Sequence, residues 1–260
     1  MMDVEVISSA QNPKVKLLLA LQQKSQKRRR YNLFVVEGRR EVERCIANGY
    51  EIDTVFVCPE IYGGSWQGEG RVVEVTPDIY NKVAYRGSTE GIIAEVKPRE
   101  YTLDNLQLGE NPLLVVLEGV EKPGNLGAVL RSADAAGVDA VIICDPLTDL
   151  YNPNLLRAST GAIFSVPCVT CISFDCINFL KARGIQILTA QLQDSQLYYN
   201  IDMRRATAIV MGTESKGLSE RWRVAADTHI RIPMMGCADS LNVSVSAAIL
   251  MFEAVRQRRK

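Results

Sequence analysis

A glycine-rich turn between a strand and a helix constrains this chain more than any other feature. Residues 118–137 read EGVEKPGNLGAVLRSADAAG and follow the apolar run Leu113–Leu117. The helical part is so poor in bulky side chains that another group is expected to approach it closely. A strand, a glycine turn and a helix N-terminus are typical of phosphate or nucleotide sites, because the first amides of a helix attract anions. The segment therefore predicts a ligand site at the end of a buried strand.

The common nucleotide-binding signatures are nevertheless missing. Gly119 and Gly124 have the spacing of a P-loop, but Asn125 and Leu126 stand where that motif requires Lys and then Ser or Thr. No GxGxxG follows a predicted strand, so the dinucleotide fingerprint is absent as well. Both absences argue against a conventional nucleotide-binding enzyme.

The charge of the chain is balanced overall but unevenly distributed. The 260 residues include 30 basic and 30 acidic side chains, and 47% are apolar, which supports a sizeable core. No Asp or Glu lies between Val6 and Val36, whereas basic residues are concentrated there. Such a segment indicates polyanion binding, although a solvated surface without a partner is the alternative. The residues predicted to bind nucleic acid are Lys24, Lys27, Arg28, Arg29 and Arg30.

Cysteine usage predicts a reducing, cytoplasmic environment with free thiols. Seven cysteines, an odd number, lie mostly in apolar, strand-like contexts. Neither a signal peptide nor a membrane-spanning apolar run is visible. Cys168 and Cys171 form a C-x-x-C, but the chain has one His and no second such pair, so no metal site is expected. Residues three apart on a strand also point to opposite faces.

The order of predicted elements indicates two α/β domains. Residues 1–97 form the smaller domain, residues 98–112 a polar linker, and residues 113–260 a larger domain. In the larger domain strands alternate with helices, which predicts a mainly parallel sheet covered on both faces. One of its strands is expected at 163–169.

Two further loops have the character of the first. Residues 211–218 follow a strand, and residues 232–244 lead into the C-terminal helix. Each loop places Gly and short polar side chains beyond the carboxyl end of a strand, where open α/β sheets bind ligands. One loop of this kind is ordinary, but the three together predict a single site.

These loops also carry a family resemblance. PGNLGAVLRSADAAG, VMGTESKGL and IPMMGCADSLNVSVSAAIL resemble the three motifs of the SpoU (TrmH-like) RNA ribose 2′-O-methyltransferases of the SPOUT class, from about Leu113 to Arg256. Residues 1–97 resemble, through NPKVK, FVVEG and TEGIIAEV, the substrate-binding domain of the rRNA-directed members. The resemblance implies a SPOUT domain with a deep trefoil knot, which chain topology rules would not suggest. It also implies S-adenosylmethionine as cofactor, RNA as substrate and a homodimer.

The resemblance assigns roles to individual residues. Those implied to line the catalytic centre are Asn125, Arg131, Glu214, Ser240, Asn242 and Ser244, and those implied to contact S-adenosylmethionine are Gly212, Ile232 and Leu241. The resemblance suggests Arg131 as the general base, but a guanidinium is effectively never deprotonated. The alternative is that Arg131 holds an RNA phosphate and stabilises developing alkoxide charge. Glu214 is expected to orient Arg131 or Asn125.

The predicted function is methylation of a ribose 2′-hydroxyl in RNA, with rRNA favoured by the N-terminal domain. The same reaction on tRNA is one alternative, and a catalytically silent RNA-binding or ribosome-assembly factor is another. The C-terminal helix has a broad apolar face that predicts a dimer contact. Its residues are Val245, Ala248, Ile249, Phe252 and Val255.

Overall fold

The chain divides into two compact units in a computed structural model that describes residues 4–85, 90–213 and 216–259. The first unit contains the chain up to Arg99 together with Tyr151–Leu156, and the second contains Glu100–Leu150 and the chain from Arg157 onward. Among the described residues, no helix combines the length and the apolar character that crossing a membrane requires.

The first unit is a five-stranded sheet with helices packed against it. Its sheet order is β1-β4-β3-β5-β2, in which β1, β4 and β3 are parallel and β5 is antiparallel to β3 and β2. The elements are β1 (Glu5–Ile7), α1 (Pro13–Gln23), α2 (Ser25–Tyr31), β2 (Phe34–Glu37), α3 (Arg39–Ala47), β3 (Ile52–Val57), α4 (Pro59–Tyr62), β4 (Arg71–Val75), α5 (Pro77–Val83) and β5 (Ile92–Val96).

Helix α1 shows how the sequence sets this packing. The Asn12 side chain accepts a 2.9 Å hydrogen bond from the Lys14 amide, and Pro13 occupies the first turn, so the helix begins at a favourable cap. Leu18 and Leu21 lie on its buried side and belong to the core of the unit with Phe56. The opposite side of α1, which includes Lys16 and Gln23, is exposed to solvent.

A segment from the second half of the sequence completes the first unit. The Tyr151 ring stacks on Phe34 at a centroid distance of 4.1 Å, and its hydroxyl donates to the Arg99 carbonyl at 3.1 Å. Leu155 is fully buried. Residues 151–156 therefore lie in the first unit, although the sequence places them in the second predicted domain.

The second unit contains a seven-stranded sheet, ordered β10-β12-β9-β11-β6-β7-β8. Every neighbouring pair is parallel, which confirms the prediction of a mainly parallel sheet. From Leu113 onward the elements are β6 (Leu113–Glu118), α6 (Pro123–Ala136), β7 (Ala140–Cys144), α7 (Pro153–Ser159), α8 (Ala162–Ser165), β8 (Cys168–Cys171), α9 (Ser173–Ala182), β9 (Gln186–Ala190), β10 (Gln196–Leu197), β11 (Thr207–Met211), α10 (Glu220–Ala225), β12 (Thr228–Arg231) and α11 (Val243–Arg258).

Both faces of this sheet are buried. Leu114 and Val116 of β6 share a core with residues of α9 and α10. Because side chains alternate along a strand, Val115 and Leu117 face the other side, and they too are fully buried. Helices α6 and α11 pack against each other, and α11 contacts β11. The continuous apolar runs of the strands follow from burial on both faces.

The strand predicted at 163–169 is wrong. Residues Ala162–Ser165 form the short helix α8 after Gly161, which adopts a left-handed φ of 85°. The strand β8 begins only at Cys168, after Pro167. A short apolar run is compatible with a buried helix or a buried strand, so periodicity alone misassigned it.

The polar segment before Leu113 lies on the second unit. Leu106 is 5% exposed and belongs to its core, and Tyr101 forms an isolated parallel bridge with Val169. The segment from Glu100 to Pro112 therefore packs on the second unit and is not a flexible linker.

Candidate active site

The three loops singled out in the sequence follow strands that lie close together in the sheet. β11 pairs with β6, with Met211 opposite Leu117, and β12 joins the sheet on β9, the other neighbour of β11. In a parallel sheet all carboxyl ends lie at one edge, so the loops after these strands converge there. A cavity of about 340 Å³ lies among the second and third loops and the segment after β9.

Position 212 must be glycine because the main chain of the second loop passes very close to it. A Cβ atom added to it would lie 2.2 Å from the carbonyl carbon and oxygen of Gly217. The main chains of Thr213 and Gly217 exchange two hydrogen bonds of 3.2 and 2.9 Å, which close the loop. The wall of the cavity is therefore backbone packed against backbone, and only glycine fits there.

Glu118, at the end of β6, links the first loop to the second. Its carboxylate accepts hydrogen bonds from the Ser219 amide at 2.8 Å and the Ser219 hydroxyl at 2.6 Å. Gly119 follows with a φ of 61°, and a Cβ on it would lie 3.3 Å from the Thr213 methyl group. Sequence patterns gave Glu118 no role, because its partner lies 101 residues away.

The structure brings together four of the predicted residues around the cavity. Gly212, Ile232 and Leu241, for which contact with the cofactor is predicted, line it, and so does Ser240. Ser240 is exposed, whereas Gly212 and Ile232 are half-buried. Their side chains and backbone therefore form a wall that remains open to solvent on one side.

A chain of hydrogen bonds joins three more predicted residues. Asn242 caps α11, and its side-chain oxygen accepts from the Ser244 amide at 2.9 Å and from the Ser244 hydroxyl at 2.6 Å. Its amide nitrogen donates to the Asn125 side-chain oxygen at 3.2 Å. The start of α6, which carries Asn125, is thereby tied to the start of α11.

Arg131 does not belong to this group. Arg131 is exposed on α6 and is not among the residues that line the cavity of its own chain. Glu214 falls outside the described residues. An interaction between the two stays a prediction.

Two cavity residues have no signal in the sequence. The side-chain oxygen of Gln191 and the Nε atom of Arg223 are buried, and neither has a hydrogen-bond partner among the described residues. A buried polar atom without a partner is costly, so both atoms are suited to a ligand. Gln191 follows β9 and Arg223 lies on α10, and neither belongs to the three loops that drew attention in the sequence.

His229 has a structural role in this arrangement. Its Nδ1 atom lies 2.6 Å from the Thr189 hydroxyl on the neighbouring strand. This hydrogen bond fastens β12 to β9.

The predicted RNA-binding cations lie at the end of α1 and on α2. Lys24, Arg29 and Arg30 are exposed and Lys27 is half-buried. The Lys27 Nζ atom and the Arg30 Cζ atom each lie 5.8 Å from the centre of the Tyr31 ring, within cation–π distance. These four cations form a basic surface on the first unit.

Arg28 is an exception that corrects the predicted set. It is 6% exposed, and its guanidinium donates to the Leu21 carbonyl at 2.5 Å and to the Gln22 carbonyl at 3.2 Å. Both carbonyls belong to the last turn of α1, where main-chain acceptors lack helical partners. Arg28 therefore fastens α2 to α1 and is not available to RNA.

The basic C-terminus is also held in place. Arg258 donates to the carbonyls of Met203 and Arg205 at 2.8 and 2.7 Å. Burial lowers the pKa of its guanidinium. Arg256 pairs with Glu253 at 2.7 Å. These contacts tie the end of α11 to the unit that contains it.

Two family models match successive parts of the chain. The model of the SpoU rRNA Methylase family matches residues 112–252, and that of the MRM3-like substrate binding domain matches residues 12–94. The 23S rRNA (guanosine(2553)-2′-O)-methyltransferase RlmP of Bacillus subtilis is 31% identical over 247 residues, covering 95% of this chain and 97% of the relative.

Two solved structures differ in how much of the chain they match. The AdoMet-bound rRNA methyltransferase from Sinorhizobium meliloti is 29% identical, with a TM-score of 0.90 and 99% of each chain covered. The TrmH/SpoU tRNA modifying enzyme of A. aeolicus is also 29% identical, but with a TM-score of 0.53 it covers 60% of this chain and 82% of its own. With the three loops, the cavity and both family models in agreement, the chain belongs to the SpoU rRNA Methylase family.

Proposed function

We propose that this protein transfers a methyl group from S-adenosylmethionine to a ribose 2′-hydroxyl of ribosomal RNA. The cavity among the family's loops is the observation that carries the proposal. It combines a glycine-enforced wall with two buried polar atoms that lack partners among the described residues. Family membership and relatives named for rRNA ribose methylation support the same activity.

The residues around the cavity fit S-adenosylmethionine. That molecule has a carboxylate, a cationic amine and sulfonium, ribose hydroxyls and an adenine ring. The Nε–H of Arg223 suits the carboxylate, and the side-chain oxygen of Gln191 suits a hydroxyl or amine donor. Ile232 and Leu241 offer apolar contact for the adenine, and Gly212 lets backbone approach closely.

The methyl group bound to the sulfonium is the electrophile that this cofactor supplies. The contribution of the protein is mainly positioning, since an in-line displacement requires the attacking oxygen to be held on one axis. Asn125, Asn242 and Ser244 are already joined by hydrogen bonds, so they form a preorganised polar group beside the cavity. We assign to this group, with Ser240, the orientation of the ribose.

Arg131 is assigned a role toward RNA. Its exposure on α6 leaves the guanidinium accessible to a phosphate, which it can bind through two parallel hydrogen bonds. A fixed cation near the reacting ribose would also stabilise charge that develops on the 2′-oxygen. Glu214 is proposed to orient Arg131 or Asn125.

The first unit is proposed to bind the RNA substrate. The match to a substrate binding domain over residues 12–94 and the exposed cations on α2 support this assignment. The A. aeolicus tRNA modifying enzyme covers only 60% of this chain, whereas the S. meliloti rRNA methyltransferase covers 99% of it. This difference favours rRNA over tRNA. The division into residues 1–97, a linker at 98–112 and residues 113–260 is kept as part of this proposal, except that residues 151–156 belong to the first unit.

A homodimer through α11 and a trefoil knot in the second unit are also proposed, both as properties of the family. Phe252 and Val245 are each 47% exposed, and Ala248, Ile249 and Val255 are only partly buried. An apolar helix face left open by its own unit favours a protein contact. Light scattering at micromolar concentration should give a dimeric mass, and Phe252→Asp should give a monomer. A monomeric mass for the unaltered protein would contradict the dimer.

Cellular location is proposed to be the cytoplasm. All seven cysteines are free, which suits a reducing compartment.

Two measurements test the function. Calorimetry should detect binding of S-adenosylmethionine or its demethylated product and no specific binding of ATP or NAD. Mapping of ribose methylation in cellular RNA, with and without the protein, should reveal one or more rRNA positions that lose the methyl group. If the methyl group is instead lost from a tRNA position, the substrate is tRNA rather than rRNA. If neither adenosyl ligand binds, with RNA present or absent, the enzyme assignment fails.

A further inference from the structure

Three cysteines meet in the second unit, one of them distant from the other two in the sequence. Cys144 ends β7 and Cys171 ends β8, where they are register partners, and Cys176 lies in the first turns of α9. The three sulfur atoms all lie within 4.8 Å of one another, and those of Cys144 and Cys171 are 4.0 Å apart. Three elements therefore aim a thiol at one point.

Only one cysteine of the C-x-x-C motif, Cys171, belongs to this group of three. Cys171 joins the group, whereas the buried Cys168 donates instead to the Val166 carbonyl at 3.3 Å. Opposite orientation of residues three apart on a strand explains the split. The sequence could not identify Cys144 as a partner, because it lies 27 residues from Cys171.

The spacing of the sulfurs suits a metal ion. Ligands about 2.3 Å from a tetrahedral zinc ion are ~3.8 Å apart, close to the 4.0 Å separation of the Cys144 and Cys171 sulfurs. Thiolate ligands select soft cations such as Zn²⁺ over Mg²⁺ or Ca²⁺. We propose that Cys144, Cys171 and Cys176 bind one Zn²⁺ ion with a fourth position open to solvent.

The surroundings of the three thiols supply a route for the ion. Cys144 and Cys176 are fully buried, but Cys171 is half-buried and lines an open groove of about 670 Å³ with Asp175 and Asn178. No fourth His, Cys, Asp or Glu joins the three within the described part of the chain. The fourth position is therefore left to water, which can enter from the groove that Cys171 lines.

Proton transfer accompanies binding. Zn²⁺ would displace the thiol protons of Cys144, Cys171 and Cys176 to solvent, which leaves three thiolate ligands.

The site would fasten β7, β8 and α9 to one another. β8 lies at the edge of the sheet, where fewer neighbours stabilise it. The ion would thus add a cross-link that does not depend on methyl transfer, and its test needs no activity measurement.

The test uses the full chain carrying Cys237→Ser, which removes the one exposed thiol among the seven. Reduced, metal-free protein is titrated with Co²⁺ without oxygen. One equivalent should produce thiolate-to-cobalt charge-transfer absorption and the intense visible bands of a tetrahedral site, and one equivalent of Zn²⁺ should remove them. Zn²⁺ should also raise the Tm.

Variants assign the ligands. Cys171→Ser should abolish the cobalt bands, and the matched control Cys168→Ser should keep them, because serine can still donate to Val166. Should Cys171→Ser fail to fold, alkylation of the unaltered thiols decides, since Zn²⁺ should slow the reaction of Cys171 with iodoacetamide at least ~10-fold. Absence of thiolate–cobalt absorption, its survival in Cys171→Ser, or unchanged alkylation would overturn the site.

Discussion

The cavity of the second unit and the basic helix α2 of the first unit are proposed to bind their partners by different physical means. The cavity depends on shape, since Gly212 lies against Gly217 with no room for a Cβ and Asn125 is held by Asn242. The basic surface of α2 depends on charge, and its exposed cations are similar to one another. Replacing one residue of the cavity site should therefore abolish cofactor binding or catalysis. Replacing one cation of α2 should weaken RNA binding only slightly.

The largest expected effect concerns Arg131, which does not line the cavity. Its replacement tests whether a side chain outside the cavity also depends on shape rather than on charge alone. Arg131→Ala and Arg131→Lys should each lower kcat about 10³-fold, while the affinity for S-adenosylmethionine is unchanged. Lysine keeps the charge but lacks the planar fork, so loss in both variants indicates bidentate binding. Single-turnover methyl transfer and calorimetry measure the two quantities.

Arg221→Ala is the control, since Arg221 is exposed on α10 and does not line the cavity. Near-normal turnover in Arg131→Lys would show that Arg131 acts by charge alone, as the α2 cations are proposed to do.

The next effect concerns the glycine wall. Gly212→Ala should weaken S-adenosylmethionine binding by about 100-fold, or about 2.7 kcal/mol, because the loop must move to admit a methyl group. Gly236→Ala, in the third loop, has nothing within 4 Å of its added Cβ and should bind normally. Equal affinity in the two variants would contradict the dependence on backbone contact.

Asn242 separates positioning from folding. Asn242→Asp keeps the acceptor that caps α11 but loses the amide that donates to Asn125, so turnover should fall about 10-fold with little change in Tm. Asn242→Ala loses the cap as well, and unfolding free energy should fall by about 1 kcal/mol. If Asn242→Asp kept full turnover, the bond to Asn125 would have no part in positioning.

The smallest effect per residue is expected on α2. Replacing Lys24, Arg29 and Arg30 with Ala should weaken RNA binding and reduce the slope of log affinity against log salt. The reduction should be about 0.7–0.9 for each RNA phosphate that the protein no longer neutralises. Cofactor affinity should not change. Filter binding at several salt concentrations measures the slope, and a slope unaffected by the triple replacement would leave α2 as a solvated surface.

Arg28 is the matched comparison within the same helix. Arg28→Ala removes hydrogen bonds to Leu21 and Gln22, so it should lower the Tm, while the surface variants leave the Tm unchanged. A normal Tm for Arg28→Ala would contradict its structural role.

Much of the fold and part of the site were predictable from the sequence. The parallel sheet from Leu113 follows from regular alternation of apolar runs and helices, and two of the three glycine-containing loops predicted after strands line the cavity. These features depend on patterns within short segments. They needed no knowledge of distant contacts.

Features that depend on distant contacts were missed. Gln191 and Arg223 have no local signal, Glu118 gains its role from Ser219, and Arg28 looks like its exposed neighbours in sequence. Whether a polar side chain faces solvent, a backbone carbonyl or a ligand is decided by tertiary packing. Single-sequence patterns do not encode it.

The stacking of Tyr151 on Phe34 has a consequence for synthesis of the chain. During translation the first unit cannot bury Phe34 against its ring partner until residue 151 has left the ribosome, after β6, α6 and β7 have been made. Domains usually fold in order of emergence, but here the N-terminal unit is completed by later residues. A fragment that ends near Arg99 would lack Tyr151 and Leu155, and it should expose apolar surface and aggregate.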